Sequence, residues 1–188
     1  MKFCSACGSP VELKIPEGDQ RDRFVCTSCH TVHYENPKLV VGCVPVTDDG
    51  QLLICKRAIE PRLGYWTVPA GFMENGETLQ QAAARECQEE ALAIVEIGSL
   101  LSIVHVTHAH QVHVFFRAHL ATREFGVGVE SLETKLVPLT DIPWNDIAFP
   151  STTFTLERYL ADRAAGSEQH HFTEMARRFS KPPFTRKP

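Results

Sequence analysis

The sequence predicts a mixed α/β domain with a small four-cysteine unit ahead of it. Three observations lead there. Two cysteine pairs, Cys4-Ser5-Ala6-Cys7 and Cys26-Thr27-Ser28-Cys29, stand near the start of the chain. Apolar, β-branched runs bounded by turn residues recur from Leu39 onward. One stretch, 78–91, carries strong helical character between strand-like runs. The composition suits this outline: of 188 residues, 43% are hydrophobic and 22% charged, enough for one well-cored domain and an appendage.

Charge and hydropathy exclude several classes. A net charge of −4 argues against a nucleic-acid partner, which calls for a surplus of Lys and Arg. No apolar run approaches the roughly 18–20 residues that span a bilayer, so no membrane partner is expected. The start, Met-Lys-Phe-Cys-Ser-Ala-Cys, has no apolar secretory core, and a cytoplasmic location is expected.

The cysteine pairs form the pattern C-x2-C-x18-C-x2-C. Zinc takes four soft ligands at tetrahedral corners, and a two-residue spacer turns both sulfurs of a pair toward one ion. Disulfides do not suit a cytosolic chain, and a redox CxxC sits beside a βαβ unit missing here. Cys4, Cys7, Cys26 and Cys29 are therefore read as a closed, structural Zn2+ site. His30 and His33, beside the second pair, are read as surface or supporting residues. Val11, Leu13 and Ile15 alternate with polar residues as in a short strand, and Glu17-Gly18-Asp19 reads as a turn. Cys43, Cys55 and Cys87 sit in apolar stretches and are read as small buried hydrophobes.

Asn36-Pro37 closes this unit, which gives boundaries of 1–35, 36–165 and 166–188 for ribbon, main domain and tail. Residues 39–46 and 51–56 read as a hairpin through Asp48-Asp49-Gly50. A loop over 58–64 leads to a short extended run at 65–69 and a glycine-bounded loop at 70–76. Helix 78–91 opens on a capping box, Thr78 with Gln81, and offers Leu79, Ala82, Ala83 and Cys87 as a buried stripe. Strands return at 94–106, 112–120 and 132–139. His105, His108, His110 and His113 span two of these on mixed faces and are read as surface and loop histidines rather than a metal cluster. Pro150-Ser151 opens a last helix to 165, with Phe154, Leu156, Tyr159 and Leu160 as its apolar side. The polar, basic remainder reads as a loosely held tail. The connections are expected to be largely hairpins.

Helix 78–91 ends in Arg85-Glu86-Cys87-Gln88-Glu89-Glu90. At about 100° per residue, Glu90 lies roughly 40° from Glu86 and Glu89 roughly 60° the other way, so three carboxylates share a face. Like charges at i,i+4 cost about 0.2–0.5 kcal/mol, and acids at a helix C-terminus oppose its dipole. Two readings stand open on the helix alone: a solvated acidic face, or a site for a hard divalent cation that takes oxygen ligands.

The preceding segment bears on the choice. Gly71, Glu77 and Arg85-Glu86-Cys87-Gln88-Glu89-Glu90 stand at the spacing Gly-x5-Glu-x7-Arg-Glu-U-x-Glu-Glu, where U is a bulky aliphatic in the family. This closely resembles the Nudix box, which continues x-Gly-U. Leu92 stands where the family has its second glycine and Ala93 where it has an aliphatic. Leucine disfavours positive φ, so a different helix exit is expected. Trp66-Thr67-Val68-Pro69-Ala70-Gly71 resembles the lead-in strand. The four-Cys ribbon followed by Tyr34-Glu35-Asn36-Pro37 narrows the likeness to Nudix pyrophosphatases acting on FAD or ADP-ribose. It is more distant from zinc-ribbon NADH pyrophosphatases, whose Ser-Gln-Pro-Trp array is absent.

The resemblance implies an α/β/α sandwich and Mg2+- or Mn2+-dependent hydrolysis of a pyrophosphate in a small dinucleotide, to AMP plus FMN or ribose 5-phosphate. It makes Glu86 and Glu90 metal ligands, Glu89 a ligand or the base, and the carbonyl of Ala70 a further ligand. It pairs Arg85 with Glu77 as a brace, and it implies a homodimer. Some members take a base or an extra ligand from a later loop; Glu130 and Glu133 are the candidates, Glu133 first. Arg57, ending a strand near the cleft, is a candidate phosphate fork. Tyr65 or Trp66 offers a stacking face, with Trp66 equally a core residue.

Two other classes compete. A non-catalytic nucleotide-sensing regulator would be expected to lose carboxylates that are intact here. A nucleic-acid-binding ribbon needs a basic stripe, whereas residues 1–35 hold Lys2, Lys14, Arg21 and Arg23 against Glu12, Glu17, Asp19, Asp22 and Glu35.

Overall fold

A computed structural model describes residues 1–176; residues 177–188, within the stretch read as a tail, lie outside the described residues. The chain divides into two units, Met1–Pro37 and the remainder from Lys38.

The first unit is an antiparallel sheet in the order β1 (Val11–Lys14), β2 (Arg23–Cys26), β3 (Val32–His33). The alternation at 11–15 does mark a strand, but Leu13 and Ile15 stay exposed. Cys4, Val25 and Cys26 are what this unit buries. So small a unit encloses little apolar surface, and its thiols occupy the place of a core.

The second unit opens with β4 (Lys38–Val46) and β5 (Gln51–Arg57), which pair at Val46 and Leu52. Beyond that point they take different neighbours. β6 (Trp66–Thr67) runs along β5, and β7 (Ala70–Phe72) along β4, so residues 66–72 bridge the split. β7 replaces part of the loop expected at 70–76: Val40, Val41 and Gly42 supply a strand edge that its backbone groups complete.

Helix α1 (Leu79–Ala91) follows, with both bonds of the Thr78–Gln81 capping box present. After it come β8 (Glu96–Val106), β9 (Gln111–His119), β10 (Ser131–Pro138), helix α2 (Pro150–Ala165) and β11 (His171–Glu174). The sheet order is β10-β5-β4-β9-β8-β11. Its central pair, β4 with β9, is parallel, as is β8 with β11, so hairpins account for less of the sheet than expected. α1 lies between β4 and β9 in sequence and supplies part of the long crossover that a parallel pair requires.

Period-two alternation sends each strand into two cores. Val41, Cys43, Leu53, Cys55 and Phe116 pack with Ala82, Ala83, Cys87 and Ala91 of α1. Val44, Leu52, Ile54 and Phe115 pack on the other side with Leu156 of α2, and Tyr159 and Leu160 join them partly buried. This is a sheet between helices, and all three lone cysteines are buried in the first core.

Residues 171–174, read as tail, form β11 on β8 instead. Arg117 and Asp162, both buried, hold it: Arg117 pairs with Asp162 and donates to the Gln169 carbonyl at 3.0 Å, and the His171 ring lies 3.0 Å from Asp162. No described helix is long and apolar enough to cross a membrane.

Candidate active site

The acidic face of α1 is not one solvated stripe. Glu86 and Glu90, one turn apart, are 7% and 6% exposed, whereas the Glu89 side chain is 58% exposed. Glu86 lies against Gly71, where an added Cβ would stand 2.3 Å from its Oε2. Glu90 accepts from the Ala70 N–H at 3.3 Å. β7 therefore covers two carboxylates that the helix presents inward. Burial raises the pKa of Glu86 against the pull of Arg85. Burial, with the Glu86 charge added, pushes Glu90 up to about 8.

Arg85 is the organising cation. Its Nε and Nη2 donate to the two oxygens of Glu77 at 3.0 and 2.8 Å, and Nη2 also reaches the Phe72 carbonyl at 3.0 Å. Nη1 donates to Glu86 at 2.7 Å and Glu89 at 2.9 Å. The fork, with a further bond from the Glu74 N–H at 2.7 Å, holds Glu77 down at about 2. Glu89 is thus drawn toward Arg85, and among the described residues the α1 acids do not form a gathered ligand cluster. Even so, Glu86 and Glu90 are two nearly buried carboxyls one turn apart, and Arg85, also committed to Glu77 and Glu89, bonds only Glu86 of the pair. Their hard oxygen donors fit a divalent cation, with Glu86 and Glu90 as its holders.

The helix exit departs from expectation. Leu92 adopts the left-handed conformation, φ 49° and ψ 30°, and its N–H caps Gln88 O at 3.0 Å. Gly126 and Gly128 then donate to the carbonyls of Ala91 and Glu90 at 2.7 and 3.1 Å. Gly128 allows this approach because a Cβ there would meet Glu89 O at 1.8 Å. The clasp brings the next turn to the site: the Glu130 charge raises the pKa of both Glu86 and Glu90, and the Glu130 carbonyl accepts from the Ala58 N–H at 2.8 Å. Glu133 lies in β10 opposite Lys56, 3.4 Å from its Nζ.

Arg57 ends β5 within electrostatic range of Glu90 and Glu130. Its Nε donates to Pro61 O at 2.9 Å, and its guanidinium lies 5.0 Å from the Phe149 ring centroid. The stacking role considered for Trp66 gives way to a core one: it is 6% exposed, packed in the α2-side core, with Lys135 and Lys56 over its ring. Tyr65 is 7% exposed under Arg62. Phe149 was legible only as the residue before the Pro150 helix start, and Gly128 only as part of a Gly-x-Gly spacing. His113, expected on the surface, is buried between Ser151 and Gln111, each 2.9 Å from a ring nitrogen.

In the first unit the four thiols lie within 4.8 Å of one another, with Cys4–Cys29 at 3.7 Å and Cys7–Cys26 at 3.4 Å. Sulfurs at tetrahedral corners around zinc are separated by about 3.8 Å, so the set fits that ion. Bonds from Thr31 lower the Cys29 thiol to about 6, while burial raises Cys4 to about 11. The His33 ring, Nε2 3.2 Å from Cys4 Sγ, supports the cluster from outside.

The family model described as NUDIX domain matches residues 36–156, and the one described as Nudix N-terminal, a zinc ribbon, matches residues 2–35. The chain is similar to the crystal structure of a NUDIX hydrolase from Nitrosomonas europaea, with 50% identity, TM-score 0.87, and coverage of 93% of this chain and 100% of that one. It is 25% identical over 168 residues to the NAD-capped RNA hydrolase NudC of Stutzerimonas stutzeri, covering 89% of this chain and 59% of that protein. It is 28% identical over 114 residues to the ADP-ribose pyrophosphatase of Methanocaldococcus jannaschii, covering 58% of this chain and 67% of that protein. The chain spans between 31% and 59% of the length of the NudC relatives it matches first.

Proposed function

The chain belongs to the Nudix family, and from that premise we propose that it is a Mg2+- or Mn2+-dependent pyrophosphatase hydrolysing ADP-ribose and FAD. The observation that carries this reading is the buried pair Glu86 and Glu90, set against Ala70 and Gly71 with Arg85 locked beside them. Glu86 and Glu90 hold the cation, and the Ala70 carbonyl is a further donor. When bound, the ion supplies positive charge that neutralises the diphosphate.

The chain's own residues do the positioning. Arg85, fixed by Glu77, keeps Glu86 in place under β7. Arg57 binds a phosphate oxygen. Glu89, the exposed acid, accepts the proton of the attacking water as that oxygen bonds to phosphorus and the P–O–P bridge breaks; its alternative role is as a further ligand. Glu133 and Glu130, the latter bearing electrostatically on Glu86 and Glu90, are the candidates for an additional acid. The four thiols hold a structural Zn2+, and the molecule works as a homodimer.

The name of the M. jannaschii relative supports ADP-ribose, and the ribbon-bearing resemblance supports FAD. A second reading, favoured by the NudC relatives, takes NADH or an NAD cap on RNA. Against it stands the missing Ser-Gln-Pro-Trp array. Chromatography of matched reactions with ADP-ribose, FAD, NADH and NAD-capped RNA decides between them. AMP with ribose 5-phosphate or FMN is expected; much faster turnover of NADH or capped RNA overturns the substrate assignment and leaves the hydrolase.

A further inference from the structure

We propose that Phe149 is a positioning residue for the substrate's diphosphate: its ring holds the Arg57 guanidinium clear of Glu90 and Glu130, as the donor for an anionic phosphate oxygen. The inference rests on the pyrophosphatase reading and names how that site keeps its cationic wall available.

Both partners are rigidly placed. Arg57 N donates to Tyr65 O and Gly64 N to Arg57 O, each at 2.9 Å, so the turn after β5 fixes the backbone from which the side chain springs. Its Nε is spent on Pro61 O at 2.9 Å, which sets the guanidinium plane. Phe149 is the N-cap of α2, held by Thr153 N to its carbonyl at 3.1 Å and by the neighbouring bond from Ala148 N to Trp66 O at 2.8 Å. The guanidinium carbon lies 5.0 Å from the ring centroid, within the range of a cation–π contact.

The electrostatics explain why such a ring matters. Burial lowers the proton affinity of Arg57, and Glu90, Glu130 and Glu60 oppose that effect, so all three acids are near. An arginine in a partly desolvated cleft is drawn into an ion pair with such acids. That pairing would occupy its donors and neutralise Glu90. Among the described residues, however, Arg57 closes no salt bridge, and its guanidinium rests on the ring instead. The planar fork is thereby kept for a phosphate, which it matches in shape and charge.

The test is steady-state hydrolysis of ADP-ribose with Mg2+. Phe149→Leu should raise KM roughly 5- to 30-fold, with kcat changed less than about threefold. Phe149→Tyr should restore KM, and Phe149→Leu should add nothing on an Arg57→Ala background. A normal melting curve certifies each variant, and Phe149→Met replaces Phe149→Leu if the latter melts early. An unchanged KM, a loss confined to kcat, or additive effects in the double variant overturns the inference. Should the wild type hydrolyse no dinucleotide, the functional reading fails, and calorimetric titration of metal-free protein with ADP-ribose decides this one. Weaker binding by Phe149→Leu, recovered in Phe149→Tyr, supports it; equal binding, or none by the wild type, overturns it.

Discussion

Gly71 and Glu86 occupy one space: a Cβ at residue 71 would stand 2.3 Å from one carboxylate oxygen of Glu86 and 2.5 Å from the other. The glycine that opens the box is therefore a seat for an acid on α1. Gly71→Ala must displace Glu86 or lift β7 from it. A stability loss of about 1–3 kcal/mol and a rate loss on the order of 10²-fold are expected. Paired melting curves and hydrolysis rates check this, and wild-type values in both contradict it.

The thiols of the ribbon substitute for a core, so metal binding there should carry folding energy. Freshly purified, reduced protein should contain about one zinc per chain, and Cys26→Ser should lose it and loosen residues 1–37. Elemental analysis decides; zinc-free wild type removes the assignment.

Leu92 holds a conformation that costs an L-residue roughly 1–2 kcal/mol, and its side chain is half exposed with Gly126 as neighbour. Leu92→Gly should stabilise the protein by up to about 1 kcal/mol, seen as a higher urea midpoint. A lower midpoint would mean that the Gly126 contact outweighs the backbone strain.

His113 gives a pH signature. Burial lowers its pKa to about 4, and a neutral ring satisfies both neighbours by accepting from Ser151 and donating to Gln111. Because the unfolded chain protonates this ring first, near 6.5, stability is full above that pH and falls as pH drops toward 4, by about 3 kcal/mol at most. His113→Gln should flatten that limb in denaturation measured from pH 7 to 4. Parallel curves for the two proteins would count against the buried neutral ring.

The spacing Gly71–Glu77–Arg85-Glu86 made the helix, its inward acids and its brace legible, because chemistry there dictates residue type at every position. Capping by Thr78 and Gln81 was legible for the same local reason. The parallel β4–β9 pair was not, since strand periodicity carries no pairing direction. β11 hid in a polar stretch because the buried Arg117–Asp162 pair, rather than apolar residues, secures it. The outward turn of Glu89 depends on Arg85 geometry that a helical wheel does not contain. Trp66 read as both core and stacking residue, and only packing separates the two.

Glu86 and Glu90 of α1 are proposed to run a pyrophosphate hydrolysis, and that role can be put to a direct trial. It is tested most directly by product chromatography of ADP-ribose with Mg2+, wild type beside Glu86→Gln and Glu90→Gln. The wild type should yield AMP and ribose 5-phosphate, and each variant should fold normally while lowering kcat on the order of 10²–10³-fold. No AMP from the zinc-loaded wild type, or wild-type rates from both variants, contradicts the account.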